Sequence, residues 1–220
     1  MRWVLALGCL VCELGILVWL LTEGISDLDF LLPLHLCDIS ILIAPVVLLT
    51  GNWLLFELLF FWGIGGAMQA LLTPIVTDGF PAPFCIYFFA AHGLIIASAL
   101  YATVVMRQRP TVRSIPRVWL ITNAYGLLII LVNLALETNY LFIMHKPATP
   151  SLLDVMGPWP WYVVVLDAVA LALICVCYLP FLVRDKLAAR RLRRPRRRTI
   201  ISPSTEPPDH PARPHQEPRP

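Results

Sequence analysis

The chain has 220 residues, of which 58% are hydrophobic and only 14% charged, with a mean hydropathy of +0.74. An ordinary soluble domain is about 25% charged, so these polar side chains are too few to cover a water-facing surface. Secreted disulfide scaffolds, soluble nucleic-acid binders and wholly disordered chains are excluded.

The apolar residues fall in six runs, near 3–22, 33–50, 53–73, 83–106, 117–137 and 160–183. Each is about the length needed to cross a hydrocarbon core of about 30 Å. In lipid a helix satisfies its own backbone, so all six read as helices of one bundle in an all-α membrane protein. Glu13 interrupts the first run, and no small-residue cleavage site follows it. That run therefore reads as a span rather than a cleaved signal peptide. The second opens on Pro33, a residue suited to the first helical position, and holds Pro45, which frees the carbonyl of Ile41. The third contains Trp62-Gly63-Ile64-Gly65-Gly66. Glycines in mid-membrane allow close helix approach.

Charge is divided unevenly. Residues 1–183 carry 6 Lys/Arg and 10 Asp/Glu, whereas residues 184–220 carry 11 and 4. Two units follow: a transmembrane domain over 1–183, and a basic Pro/Arg-rich tail over 184–220 with eight of the 20 prolines. Such a tail buries too little apolar surface to fold and is expected to be disordered. Its nine basic residues from Arg184 to Arg198 directly follow a span, the position of an anchor on anionic headgroups rather than of a nucleic-acid patch.

The connection 107–117 carries Arg107, Arg109, Arg113 and Arg117, and Arg2 precedes the first span. The opposite connections carry Glu23, Asp27, Asp29, Asp78 and Asp154, with Lys146 as their cation. The Lys/Arg bias puts both termini in the cytoplasm and the chain in the cell membrane. Trp3, Trp53 and Trp119 then fall at the inner boundary, and Trp19, Trp159 and Trp161 at the outer one. The long outer connection 138–159 is rich in aromatics and is expected to fold back over the outer mouth.

Ionisable groups inside spans are costly and usually face an interior. Counted at 1.5 Å per residue from the outer ends, Cys37 and Asn133 lie about 6 Å deep, Gln69 about 8 Å and Asp167 about 10 Å. His92 and Glu13 lie about 14–15 Å deep. These six residues come from six helices, yet all fall in the outer half. Only Glu57 and Asn123 sit toward the cytoplasm. The pattern predicts a polar cavity opening outward, to which the outer connection adds Asn139, Tyr140, Trp159 and Trp161. The bland alternative is polar glue between helices, worth about 0.6 kcal/mol per contact.

The candidate chemistry lies in Leu32-Pro33-Leu34-His35-Leu36-Cys37-Asp38. On a helix, His35 and Asp38 share a face at i and i+3, so the carboxylate could set the imidazole tautomer. Cys37 points about 200° away from His35, which makes His92 the more plausible base for it. A Cys at a helix N-terminus beside a base is a minimal apparatus for acyl transfer. Cys9 and Cys12 form CxxC within a span, and Cys175 and Cys177 lie in the last one. They lack the context of a zinc or redox site, and neither a metal nor a cofactor is implied.

The strings LPLHLCD (32–38), FFWGIGGAMQALLTP (60–74), FFAAHG (88–93) and NYLFIMHKPATPSLLDVMGPWPWY (139–162) resemble signatures of the YwaF-type integral membrane proteins of bacteria. The resemblance covers about residues 3–184. Members usually carry one more helix before the segment matching 3–22. The family is distantly similar to a mammalian multi-pass protein regarded as a phospholipid acyltransferase that uses a Cys. That similarity implies Cys37 as nucleophile and His92 as the partner His. In this chain His35 precedes Cys37 and Asp38 follows it, a departure from the Pro-Cys-His order. Three functions are therefore expected to compete. One is acyl transfer or hydrolysis on membrane lipid, with Cys37, His92, His35 and Asp38 catalytic and Gln69 or Asn133 as oxyanion donor. The second is a proton-coupled or small-molecule carrier with a path through Glu57 and Asn123. The third is an accessory membrane protein without chemistry.

Overall fold

A computed structural model describes residues 1–74, 76, 79–147 and 151–193, with side chains to residue 189. Asp78 and the tail beyond Arg193 lie outside the described residues. Six helical spans are present, and no strand occurs among the described residues. Over the described residues the protein is all-α, with six helices long and apolar enough to cross a membrane.

Helix α1 runs Arg2–Thr22. The second span is broken. A short α2, Leu28–Leu31, is capped by Asp27 Oδ1, which accepts from the Asp29 N–H at 3.0 Å. The longer α3, Leu36–Thr50, begins after His35 as its N-cap. Pro33 therefore sits in an extended break, not at a first helical position, because a proline drives the residue before it out of helical geometry. Pro45 is accommodated inside α3.

Gly51, at φ +69°, ends α3. This left-handed geometry is cheap for glycine. Asn52 then starts α4, Trp53–Phe61, by accepting from the Leu55 N–H at 3.1 Å. The third span continues as a π-helical stretch, Trp62–Ala67, and ends as α5, Met68–Leu72. Helix α6 spans Pro83–Val104 with Pro83 in its first turn. Helix α7 spans Ser114–Leu136, and α8 spans Trp161–Arg193. The last helix continues ten residues past the expected boundary at 183, so the basic run begins as helix.

Helices α1, α3 and α6 pack closely on one another, and the third span lies against them. More than half of the most apolar window of that third span is buried. Helices α7 and α8 touch each other and meet the rest chiefly through the third span. The glycines there work by proximity. A Cβ on Gly63 would come within 3.0 Å of Ile95 Cγ2 on α6, and one on Gly65 within 3.8 Å of Leu173 Cβ on α8.

The side bearing the ends of α1 and α7 and the starts of α3, α6 and α8 is called the outer side. The opposite end is held by a buried polar clamp. Glu57, fully buried, accepts from Trp53 Nε1 at 3.0 Å, Ser114 Oγ at 2.6 Å and Arg117 Nη1 at 2.9 Å. Gln108 Nε2 donates to the Gly51 carbonyl at 2.8 Å and ties two inner connections together.

Candidate functional site

A cavity of about 1250 Å³ lies between the α1/α3/α6 group and the α7–α8 pair. All six spans and the connection between α7 and α8 contribute to its wall. Its volume exceeds the roughly 300–1,000 Å³ of ordinary small-ligand pockets. Most lining side chains are apolar, and the polar ones stand out against them. Glu13, His35, Cys37, Asp38, Gln69, His92, Asn139 and Asp167 all line it.

The first turn of α3 supplies the reactive cluster. Asp38 Oδ2 accepts the backbone N–H of His35 at 3.0 Å, capping the helix. Its other oxygen faces the Cys37 thiol, which donates to Oδ1 at 3.6 Å. The first N–H groups of a helix have no partner within it and carry its positive end. Cys37 therefore sits at the positive end of the helix with a carboxylate next to it.

The expected His35–Asp38 side-chain pair is not formed. The reason is the helix break: with His35 as cap, Asp38 reaches its backbone and not its ring. The His35 ring turns to the outer connection, where Nδ1 accepts the Leu141 N–H at 3.4 Å. It packs on Tyr140 and Phe142 with ring centroids 5.4 and 5.5 Å apart. Since Nδ1 accepts, the neutral ring carries its proton on Nε2.

His92, on α6, is the opposite tautomer. Its Nδ1 lies 2.7 Å from the Phe88 carbonyl, which can only accept. Nδ1 therefore holds the proton and Nε2 presents a lone pair. His92 lines the same cavity as Cys37, but the thiol's hydrogen bond goes to Asp38.

The other expected residues divide. Glu13 accepts from the Tyr87 hydroxyl at 3.1 Å and lines the cavity. Gln69 lines it too, with its Nε2 on Thr73 Oγ1 at 3.3 Å. Asp167 Oδ1 accepts from both Trp119 Nε1 at 2.9 Å and Asn123 Nδ2 at 3.0 Å. Counting from helix ends had put Asp167 in the outer half and Trp119 and Asn123 toward the cytoplasm. Counting along single helices does not show which levels of α7 and α8 pack together, and these three side chains meet.

Asn133 is a brace of the outer connection and does not line the cavity. Its Oδ1 accepts from Thr138 Oγ1 and the Tyr140 N–H, and its Nδ2 donates to the Tyr140 carbonyl. Buried and outside the cavity wall, it is not placed to reach an oxyanion formed there. Tyr140 is buried behind the wall, its hydroxyl donating to the Leu28 carbonyl. Burial, and after it the nearby Asp29, Asp27 and Asp38, pushes that hydroxyl up to about 12, so it remains a donor. Trp159 and Trp161 are 60% and 67% exposed and lie outside the wall.

The outer connection does fold over the cavity, through the expected Asn139 and through Leu141, Phe142 and His145, which composition alone did not single out. The Asn139 N–H donates to Asp29 Oδ1 at 2.9 Å, and the Asn139 side chain gathers the N–H groups of Met144 and His145. Leu141, Phe142 and His145 face the cavity. Leu141 and Phe142 hold φ of +60° and +52°, left-handed geometry that bulky residues rarely adopt. Tyr87 and Tyr125 were also missed. The Tyr125 hydroxyl donates to the Leu34 carbonyl at 2.7 Å, satisfying backbone that the break before α3 would leave unpaired. Among the described residues, no group of three His, Cys, Asp or Glu is placed to hold a metal ion.

Comparison with known proteins agrees with this architecture. A family model described as "TMEM164 family" matches residues 1–178. A protein of Treponema pallidum (strain Nichols), described as "Uncharacterized protein", is 28% identical over 155 residues, covering 68% of this chain and 62% of its own length. The chain thus spans less than two thirds of that relative. No solved structure matches.

Proposed function

The chain belongs to the TMEM164 family, and on that footing we propose that this multi-pass membrane protein transfers acyl chains between membrane lipids through Cys37. The YwaF-type resemblance and a location in the cell membrane belong to the same proposal. The observation that carries it is the Cys37 thiol, hydrogen-bonded to Asp38 Oδ1 on the wall of a large, mainly apolar intramembrane cavity.

The reaction has two balanced halves. The Cys37 sulfur attacks the ester carbonyl of a phospholipid as its proton leaves to Asp38 or to His92 Nε2. The acyl–oxygen bond breaks, the departing lysolipid oxygen takes that proton, and a thioester remains on Cys37. The hydroxyl of a second lysolipid then attacks the thioester, forms the new ester and returns a proton to the thiol. The N–H groups at the start of α3, with Gln69, stand as donors for the oxyanion. The basic run that begins in α8 rests against anionic headgroups in this scheme.

The carrier reading finds less support. Its inner path would pass Glu57 and Asn123, and both are committed: Glu57 to three donors, Asn123 to Asp167.

The test uses purified protein in lipid nanodiscs, a phospholipid with a labelled acyl chain and an unlabelled lysophospholipid acceptor, read by mass spectrometry. Label on the acceptor, lost in Cys37→Ala, is the expected result. Absence of transfer by folded wild type, or full transfer by Cys37→Ala, overturns the reading.

A further inference from the structure

A second, shallower space lies on the outside of the bundle. It is a groove of about 320 Å³ between α1 and α6, lined by Val11, Gly15 and Trp19 on one side and Pro83, Ile86 and Ala90 on the other. Two residues, Ile16 and Tyr87, line both this groove and the main cavity. They form the partition between the two spaces. The Tyr87 hydroxyl, donating to Glu13 at 3.1 Å, ties α6 to α1 across that partition.

The position of the groove identifies its occupant. The walls belong to two membrane spans, and Val11 and Ile86 are exposed on their outer faces. The groove runs from Trp19 and Pro83, at the outer end of both helices, to Val11 and Ala90 deeper in. At 1.5 Å per residue that is about 10–12 Å, most of one leaflet of a hydrocarbon core about 30 Å thick. Gly15, with no side chain, and Ala90, with only a methyl group, make the trough, and a Cβ added at Gly15 would meet nothing within 4 Å. In lipid no hydrophobic drive distinguishes protein from solvent, so association follows close packing. A trough of this depth gains dispersion contacts only when a slender apolar chain fills it.

We infer that the α1–α6 groove seats one acyl chain of an outer-leaflet phospholipid, and that the Ile16–Tyr87 partition, latched by the Tyr87–Glu13 hydrogen bond, is the side entrance by which that chain reaches the cavity. This rests on the acyl-transfer reading. It makes Tyr87 a gating residue and leaves the outer mouth for the polar parts of substrate and product. Groove and cavity are neighbouring spaces across two side chains, so a rotation of the Tyr87 ring joins them.

The experiment uses the full chain in nanodiscs with two probes. One is a phospholipid whose acyl chain carries a diazirine. The other is a short-chain, water-soluble ester that needs no passage from the bilayer. Gly15→Trp fills the trough from α1, and Ala90→Phe fills it from α6, so that misfolding of one variant leaves the other. On irradiation the wild type should crosslink within residues 11–19 or 83–90. Each filled variant should lose that crosslink and long-chain transfer by about tenfold while keeping short-chain turnover. Tyr87→Phe, which keeps the ring but removes the latch, should speed long-chain transfer relative to short-chain turnover. Crosslinks confined to other helices, or filled variants with unchanged long-chain transfer, overturn the side entrance. If wild type turns over neither substrate, the acyl-transfer reading fails, and the crosslinking pattern still decides whether the groove seats a lipid chain.

Discussion

Glu57 and Asp38 are both carboxylates within membrane spans, and the structure uses them in opposite ways. Glu57 is fully buried, accepts from three side chains and pairs with Arg117, whose own side chain is 46% exposed. A carboxylate so satisfied has little left to offer a substrate. Asp38 holds one backbone N–H and one thiol and borders a cavity. Thiols are weak donors, so Asp38 keeps its capacity to take a proton. Fully buried and fully paired, Glu57 acts as a brace, whereas half-buried Asp38 keeps an oxygen turned to a weak donor at the cavity.

The contrast can be broken most sharply at the thiol. Cys37→Ala should lower acyl transfer by more than about 10³-fold, the scale of losing a nucleophile, with unchanged thermal unfolding in detergent. Persistent transfer would show that Asp38 borders an inert residue. Next comes Glu57→Leu, expected to cost about 3 kcal/mol of stability, because it strips a buried acceptor from three donors. Adding Arg117→Leu should return part of that loss, since removing both partners of a buried pair is often close to neutral. A double variant as unstable as the simple sum would deny that the two form a unit. Asp38→Asn keeps an acceptor for the His35 N–H and should fold normally while slowing transfer about 10²-fold. An unaltered rate would reduce Asp38 to a helix cap. Smallest should be Trp159→Phe, which gives up one exposed hydrogen bond to the Ile143 carbonyl at 3.2 Å. A change within about 0.5 kcal/mol and full transfer are expected, and any larger loss of activity would bring Trp159 into the site.

Hydropathy made the six spans legible because it is additive along the chain, and their ends agree with the structure to within a few residues in most cases. The break before α3 was less legible. Leu32, Leu34 and Leu36 are as apolar as any helix interior, and Pro33 suits a helix start as well as a helix interruption. Cys37, Asp38, His92, Glu13 and Gln69 were found because ionisable or polar residues stand out in apolar runs, and all five line one cavity. Asn133 carried the same signal but spends its amide on Tyr140 and Thr138. A sequence shows that a polar group needs partners and is silent on whether local backbone supplies them. Asp29 was counted only as a loop charge, yet it anchors Asn139 across 110 residues, a pairing that no local pattern encodes.

The π-helical stretch Trp62–Ala67 also sets the angular phase of everything after it. A π-turn holds more residues than an α-turn, so the span arrives at Met68 rotated relative to an uninterrupted helix. Deleting Gly66, which has open space around it, would let the stretch wind as ordinary helix. Wound as ordinary helix at its full length, the stretch would instead turn the residues beyond by about 100° and carry Gln69 off the cavity wall, a turn that the deletion cancels. The span would remain just as apolar, so its hydropathy profile would barely change. Gln69 is therefore pointed inward by the π-stretch together with its extra residue, and a related chain one residue shorter in this span can lack the stretch and still keep the site.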